Sequence, residues 1–112
     1  MEQAWLPAAA MRARVDVLHT LAFPTPVLWR GPSVVTVHDA TPWLHPDTVS
    51  TGMRYYYGPL YRQALRRAAA ILTVSEAAKA DLLTVHAVAP ERVHVTRNGV
   101  APLFFDARVT AR

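Results

Sequence analysis

Apolar residues fall along the chain in short β-branched runs, separated by longer stretches of helical period. The first run, Val15-Asp16-Val17-Leu18-His19, reads as a strand that ends in a histidine. Before it, residues 2–14 are alanine-rich, with Arg12 and Arg14 where positive charge suits a helix C-terminus. Three prolines, Pro24, Pro26 and Pro32, make residues 20–32 a loop with extended pieces. Gly31-Pro32 then opens the central stretch, Ser33-Val34-Val35-Thr36-Val37-His38-Asp39. Its β-branched core predicts a strand covered on both faces, with His38 and Asp39 delivered at its carboxyl end.

Thr41 to Asp47 reads as an irregular loop near the same edge. From about Thr48 to Ala70 the period is helical. Met53, Tyr57, Leu60, Ala64, Leu65 and Ala68 form a core-facing stripe, and Arg62 and Arg66 lie on the opposite, solvated side. Gly58-Pro59 is expected to kink this helix or split it. Ile71 to Val74 is a third strand, and Ser75 is placed to cap a helix from Glu76 to about His86. A turn at Ala89 to Arg92 precedes a fourth strand, Val93 to Thr96. Asn98-Gly99 then marks a tight turn suited to positive φ. In the tail, Leu103-Phe104-Phe105 is expected to pack back locally.

Four strands separated by helical segments predict an α/β fold: a parallel sheet flanked by helices, with at least one edge left open. At 112 residues the chain is one domain at most, and 52% hydrophobic against 18% charged residues place it among globular chains. Its net charge of +4 rests almost wholly on arginine, since Lys79 is the only lysine. With no cysteine, disulfides, thiolate metal sites and cysteine nucleophiles are excluded. The opening residues are acidic and broken by Pro7, unlike a secretion signal, and no apolar run has the length of a membrane span. A cytoplasmic setting is the expectation, with peripheral contact at the inner membrane face as an option.

Chemistry is sparse outside the strand ends. There is no GxGxxG, Walker loop or GxSxG elbow, and His19, His38, His45, His86 and His94 share no metal-ligand spacing. Tyr55, Tyr56, Tyr57 and Tyr61 beside Arg54, Arg62 and Arg66 form a stacking-plus-charge pattern, for which a solvated amphipathic helix is favoured over nucleic-acid binding. Taken singly, His38 is a ring bonded to nearby backbone, Asp39 an Asx-turn, Ser75 an N-cap and Asn98-Gly99 a turn. Taken together, all of them follow the ends of predicted strands, on the rim where open α/β sheets bind ligands.

The ordered set of motifs resembles a known family. It comprises Asp16-Val17-Leu18-His19, Val35-Thr36-Val37-His38-Asp39, the run Arg66 to Glu76, Ala80-Asp81-Leu82-Leu83, Pro90-Glu91-Arg92-Val93-His94-Val95 and Asn98-Gly99-Val100. From about Asp16 to Phe105 it is similar to the second half of the N-terminal domain of family 4 glycosyltransferases of the GT-B fold. The resemblance implies a partial Rossmann-like sheet within residues 1–112, half of an acceptor-side domain. It also implies transfer from a nucleotide-sugar donor to an acceptor hydroxyl with retention, no required metal and no resident cofactor.

By the same resemblance, His38 lies close to the sugar and acceptor, with Asp39 orienting it or accepting from a hydroxyl. Substrate contacts are assigned to His19, Ser75, Glu76, Asn98 and Gly99. Arg97 stands where the family usually has proline. The family's glycine-rich loop and its donor-binding domain with paired glutamates have no counterpart here, so the chain is expected to be a fragment that is inactive alone. Two rival readings remain: a non-catalytic α/β module that pairs with another chain through its open edge, and a basic surface that docks on anionic membranes or nucleic acid.

Overall fold

Four short strands run side by side in the order of the chain, every neighbouring pair parallel: β1 (Leu18–Thr20), β2 (Ser33–Val37), β3 (Ala70–Thr73) and β4 (Val93–Val95). The computed structural model describes residues 2–105, except the side chains of Glu2, Leu103 and Phe105. Between the strands lie α1 (Glu2–Arg12), ahead of β1, then α2 (Thr41–Leu44), α3 (Thr51–Arg67) and α4 (Glu76–Val85). The α/β class and the four-stranded parallel sheet agree with the sequence.

Register explains which residues make the core. Val35, Ile71 and Val93 stand in one row across β2, β3 and β4, and each is almost completely buried. Against that face pack Ala64, Leu65 and Ala68 from α3 and its end, and Leu82 from α4. The opposite face is different. His19, Val34 and Ala70 form one of its rows, and Thr36, Leu72 and His94 the next. His19 and His94 are exposed, and Val34 and Leu72 are only half-buried, so the expected two-sided cover is absent among the described residues. Likewise β1 and β4 each pair on one side only, leaving two outer edges.

Several boundaries differ from the sequence reading. The first strand is Leu18–Thr20 rather than Val15 to His19, because only those residues find ladder partners in Ser33 to Val35. Val15 and Val17 are exposed, and Arg14 turns the chain with φ 52° after α1. The stretch predicted as a loop after Asp39 holds α2 and a 3₁₀ turn, Pro46–Thr48. The helix α3 is continuous through Gly58-Pro59. A Cβ on the residue before proline would crowd the ring in helical geometry, and Gly58 has none. Met53 departs from its predicted core position and is 52% exposed. Neither Gly99 nor any other glycine takes positive φ, and Asn98-Gly99 forms no turn. Phe104, in the 3₁₀ turn Pro102–Phe105, is exposed and does not pack back, whereas the Leu103 and Phe105 side chains lie outside the described residues.

Much of the basic charge serves the fold. Arg92 Nη2 donates to the carbonyls of Leu65 (2.9 Å) and Ala68, at the end of α3 where carbonyls lack helical partners. Arg67 donates to the carbonyls of Val27 (3.2 Å) and Trp29 (3.0 Å), and Lys79 to that of Val93 (2.7 Å). Trp29 is buried in the proline-rich loop, its indole N–H donating to Pro32 O at 3.0 Å. Gly31 is required beside it: a Cβ there would come within 2.5 Å of Trp29 Cζ2.

Candidate functional site

The strand end that carries His38 and Asp39 is exposed, as its place on the carboxyl rim requires. His38 Nε2 bonds to the backbone carbonyl of Leu21 at 2.8 Å. A carbonyl can only accept, so Nε2 carries the proton and a neutral ring presents Nδ1 as an acceptor. Asp39 Oδ1 accepts from the Thr41 N–H at 2.7 Å, an Asx-turn that starts α2 and leaves Oδ2 for other partners. Tyr61, from α3, donates its hydroxyl to the carbonyl of Ala22. The loop after β1 is therefore held at consecutive carbonyls, one by the rim histidine and one by the helix.

His38, Asp39 and Tyr61 line one cleft of about 590 Å³. Its walls are largely aromatic: Phe23 lies 6.3 Å from Tyr57, and Trp43 meets Tyr61 edge-on at 5.3 Å. Met53, Tyr55, Gly58 and the arginines Arg54 and Arg62 complete the α3 side. Burial holds the Tyr61 phenol above its ordinary value, and the neighbouring Tyr57 and Asp39 add to the effect. The cleft falls within the size range of small-molecule sites.

The other predicted site residues are placed less closely. His19 is exposed on the open sheet face, and its Nε2 lies 2.9 Å from Oγ1 of Thr36, itself a cleft residue. Ser75 is the cap of α4, accepting from the Ala78 N–H at 3.1 Å, with exposed Glu76 in the first turn. Asn98 and Gly99 are exposed beyond β4. All belong to the same rim by topology, but none of Ser75, Glu76, Asn98 and Gly99 lines the cleft. Conversely, the sequence reading missed Phe23, Trp43 and Tyr61 as site residues. Their aromatic type was visible, but their convergence was not, because it joins the loop after β1, the residues after β2 and α3, with Tyr61 and Ala22 39 positions apart.

His86 stacks edge-on against the Trp43 ring at 4.6 Å, and its Nε2 is buried with no hydrogen-bond partner among the described residues. Burial lowers its pKa below the ordinary 6.5, and the charge of Arg62 lowers it further. Above pH 6.5 the neutral ring is therefore the favoured form in the folded protein. The folded state refuses a proton that the unfolded chain accepts below 6.5. This contribution to stability is full above that value, and it is lost as pH falls through it towards the lowered folded value. Melting temperatures measured at about pH 7.5 and pH 5.5 are expected to drop on acidification. His86→Leu, which removes the unpaired nitrogen, should melt higher and show a smaller drop. An undiminished drop in the variant would assign the effect to other groups.

A parallel sheet whose carboxyl rim opens on an aromatic cleft lined by a histidine and a carboxylate has the arrangement in which open α/β folds place their ligand sites. The model of Glycosyltransferase Family 4 matches residues 2–102, nearly the whole chain, and the protein belongs to that family. A search of curated proteins returns no match. The family assigns it to glycosyl transfer, with sugar donor and acceptor as substrates in general terms. Among the described residues no helix is long and apolar enough to cross a membrane.

Proposed function

We propose that the chain is the second half of the acceptor-side, N-terminal domain of a retaining glycosyltransferase of GT-B architecture. It works with a donor-binding domain that holds the nucleotide sugar and completes the cleft. The observation that carries this reading is the meeting of His38 and Asp39 with a cleft of about 590 Å³ on the carboxyl rim, in a chain matched to the family over residues 2–102.

In the transfer, the bond from the anomeric carbon to the donor phosphate breaks, and its electron pair leaves with the phosphate. A bond forms from that carbon to the acceptor oxygen, whose proton passes to the departing phosphate oxygen. His38 accepts a hydrogen bond from a sugar or acceptor hydroxyl through Nδ1, since Nε2 is engaged by Leu21. Asp39 accepts from a second hydroxyl through the oxygen that the Asx-turn leaves free. Glu76, Asn98 and Gly99, further along the rim, contact the donor side, as do the N–H groups of the first turn of α4. Ser75 orients that turn, because its own hydroxyl is used as the cap. His19 supports the rim through Thr36. The unpaired outer edges of β1 and β4 favour a complementary segment that extends the sheet.

The test is transfer from a panel of nucleotide sugars by the enzyme that contains this segment, with the product followed by NMR. A new glycoside with the donor's anomeric configuration, together with released nucleotide, is the expected result. An inverted product would overturn the retaining assignment. No transfer from any donor would overturn the reading itself.

A further inference from the structure

Two of the basic residues that the fold leaves unused stand on the cleft. Among the described residues no ion pair forms. Arg67, Lys79 and Arg92 are occupied with carbonyls, whereas Arg54 and Arg62 are exposed and line the cleft. They lie at i−4 and i+4 from Gly58, so both project from the same side of α3, about 12 Å apart along its axis. Between them Gly58 presents no side chain, and a Cβ built there would meet nothing within 4 Å. The result is an open saddle between two cations. The helix itself, Thr51–Arg67, contains no acidic residue.

The wall beside that saddle is apolar and unusually exposed. Phe23 is 51%, Met53 52% and Tyr55 73% accessible, and all three line the same cleft. Exposed aromatic surface of this kind, gathered in a concavity rather than scattered, marks a binding site. The one acidic residue that lines the cleft among the described residues, Asp39, lies near Tyr61, whose phenol its charge raises. A ligand with an anionic group is therefore drawn to the arginines and repelled from the rim pair.

Resting on the acceptor-side reading, we propose that the acceptor is an anionic amphiphile: an aromatic or aliphatic body lying on Phe23, Met53 and Tyr55, with a phosphate or similar anion held by Arg54 and Arg62. Its hydroxyl end then points to His38 and Asp39. Arginine favours phosphate because its planar fork donates in pairs. The concave shape selects a single molecule, since a membrane surface would need a convex or flat face.

The experiment is calorimetric titration of the protein with naphthyl phosphate, naphthol and inorganic phosphate, and with anionic phospholipid vesicles. Binding is read without catalysis, so its failure is distinct from a failure of glycosyl transfer. Naphthyl phosphate is expected to bind saturably and about tenfold or more tightly than either half alone. Arg54→Gln combined with Arg62→Gln, at exposed positions that leave the fold intact, should bring its affinity down to that of naphthol. Phe23→Ala combined with Tyr55→Ala should bring it down to that of inorganic phosphate. Equal binding of naphthol would remove the anion site, and equal binding of inorganic phosphate would remove the apolar body. Affinity unchanged in both double variants, or binding to vesicles alone, would overturn the proposal.

Discussion

His38→Ala is expected to reduce the turnover of glycosyl transfer by roughly a hundredfold or more, the usual scale for removing a positioned acid–base or hydrogen-bonding group. The variant is made in the enzyme that contains this segment. The structural bond of the imidazole and its proposed catalytic role can be separated. Through Nε2–H it holds the carbonyl of Leu21 at 2.8 Å, and losing one such bond at an exposed site costs about 1 kcal/mol of stability. Its other nitrogen, Nδ1, is the one the proposed role gives to the reacting hydroxyls. His38→Gln keeps an N–H donor for Leu21 but offers no imidazole. It should therefore recover the melting temperature and leave turnover low. Recovery of turnover along with stability would make His38 a structural clamp, and an alanine variant with unchanged turnover would remove it from the mechanism.

Leu82→Ala is expected to lower the stability of the fold by about 3 kcal/mol, the mid-range for emptying a fully buried leucine site. Leu82 has no accessible surface and packs from α4 against the Val35, Ile71 and Val93 row. Alanine is the best helix former, so the loss reports packing and cavity formation rather than helix propensity. In urea the midpoint should fall with little change in slope. Leu82→Met, which nearly conserves volume, should cost less than about 1.5 kcal/mol. A Leu82→Ala loss below that of Leu82→Met would show that α4 is not held by this core.

The comparison of chain and fold is instructive at particular residues. Ser75 was legible because a cap is local: its hydroxyl reaches the N–H three residues on, and both are present in any short stretch of sequence. Asp39 was legible as an Asx-turn for the same reason, yet the helix that the turn starts was not, since four residues carry almost no periodic signal. Val15 and Val17 misled because β-branched alternation alone does not make a strand; a ladder partner does, and β2 offers one only from Leu18 onwards. Asn98-Gly99 misled because glycine permits positive φ without requiring it. Gly58-Pro59 misled in the opposite direction, since the glycine relieves the strain that the proline would otherwise impose.

By itself the amino-acid sequence determined the α/β class, the four strands, the longer helices α3 and α4 between them, the place of His38 and Asp39 at a strand end, and the family motifs. Those depend on period, caps and short spacings, which act over a few residues. Only the tertiary structure decided what stands opposite His38. Phe23 comes from the loop after β1, Trp43 from α2, and Arg54, Tyr61 and Arg62 from α3. Their convergence follows from strand order, from the fit of α3 and α4 against one face, and from the bonds to Leu21 and Ala22 that hold the loop in place. Such contacts are made by packing between segments distant in the chain, and no local pattern records them.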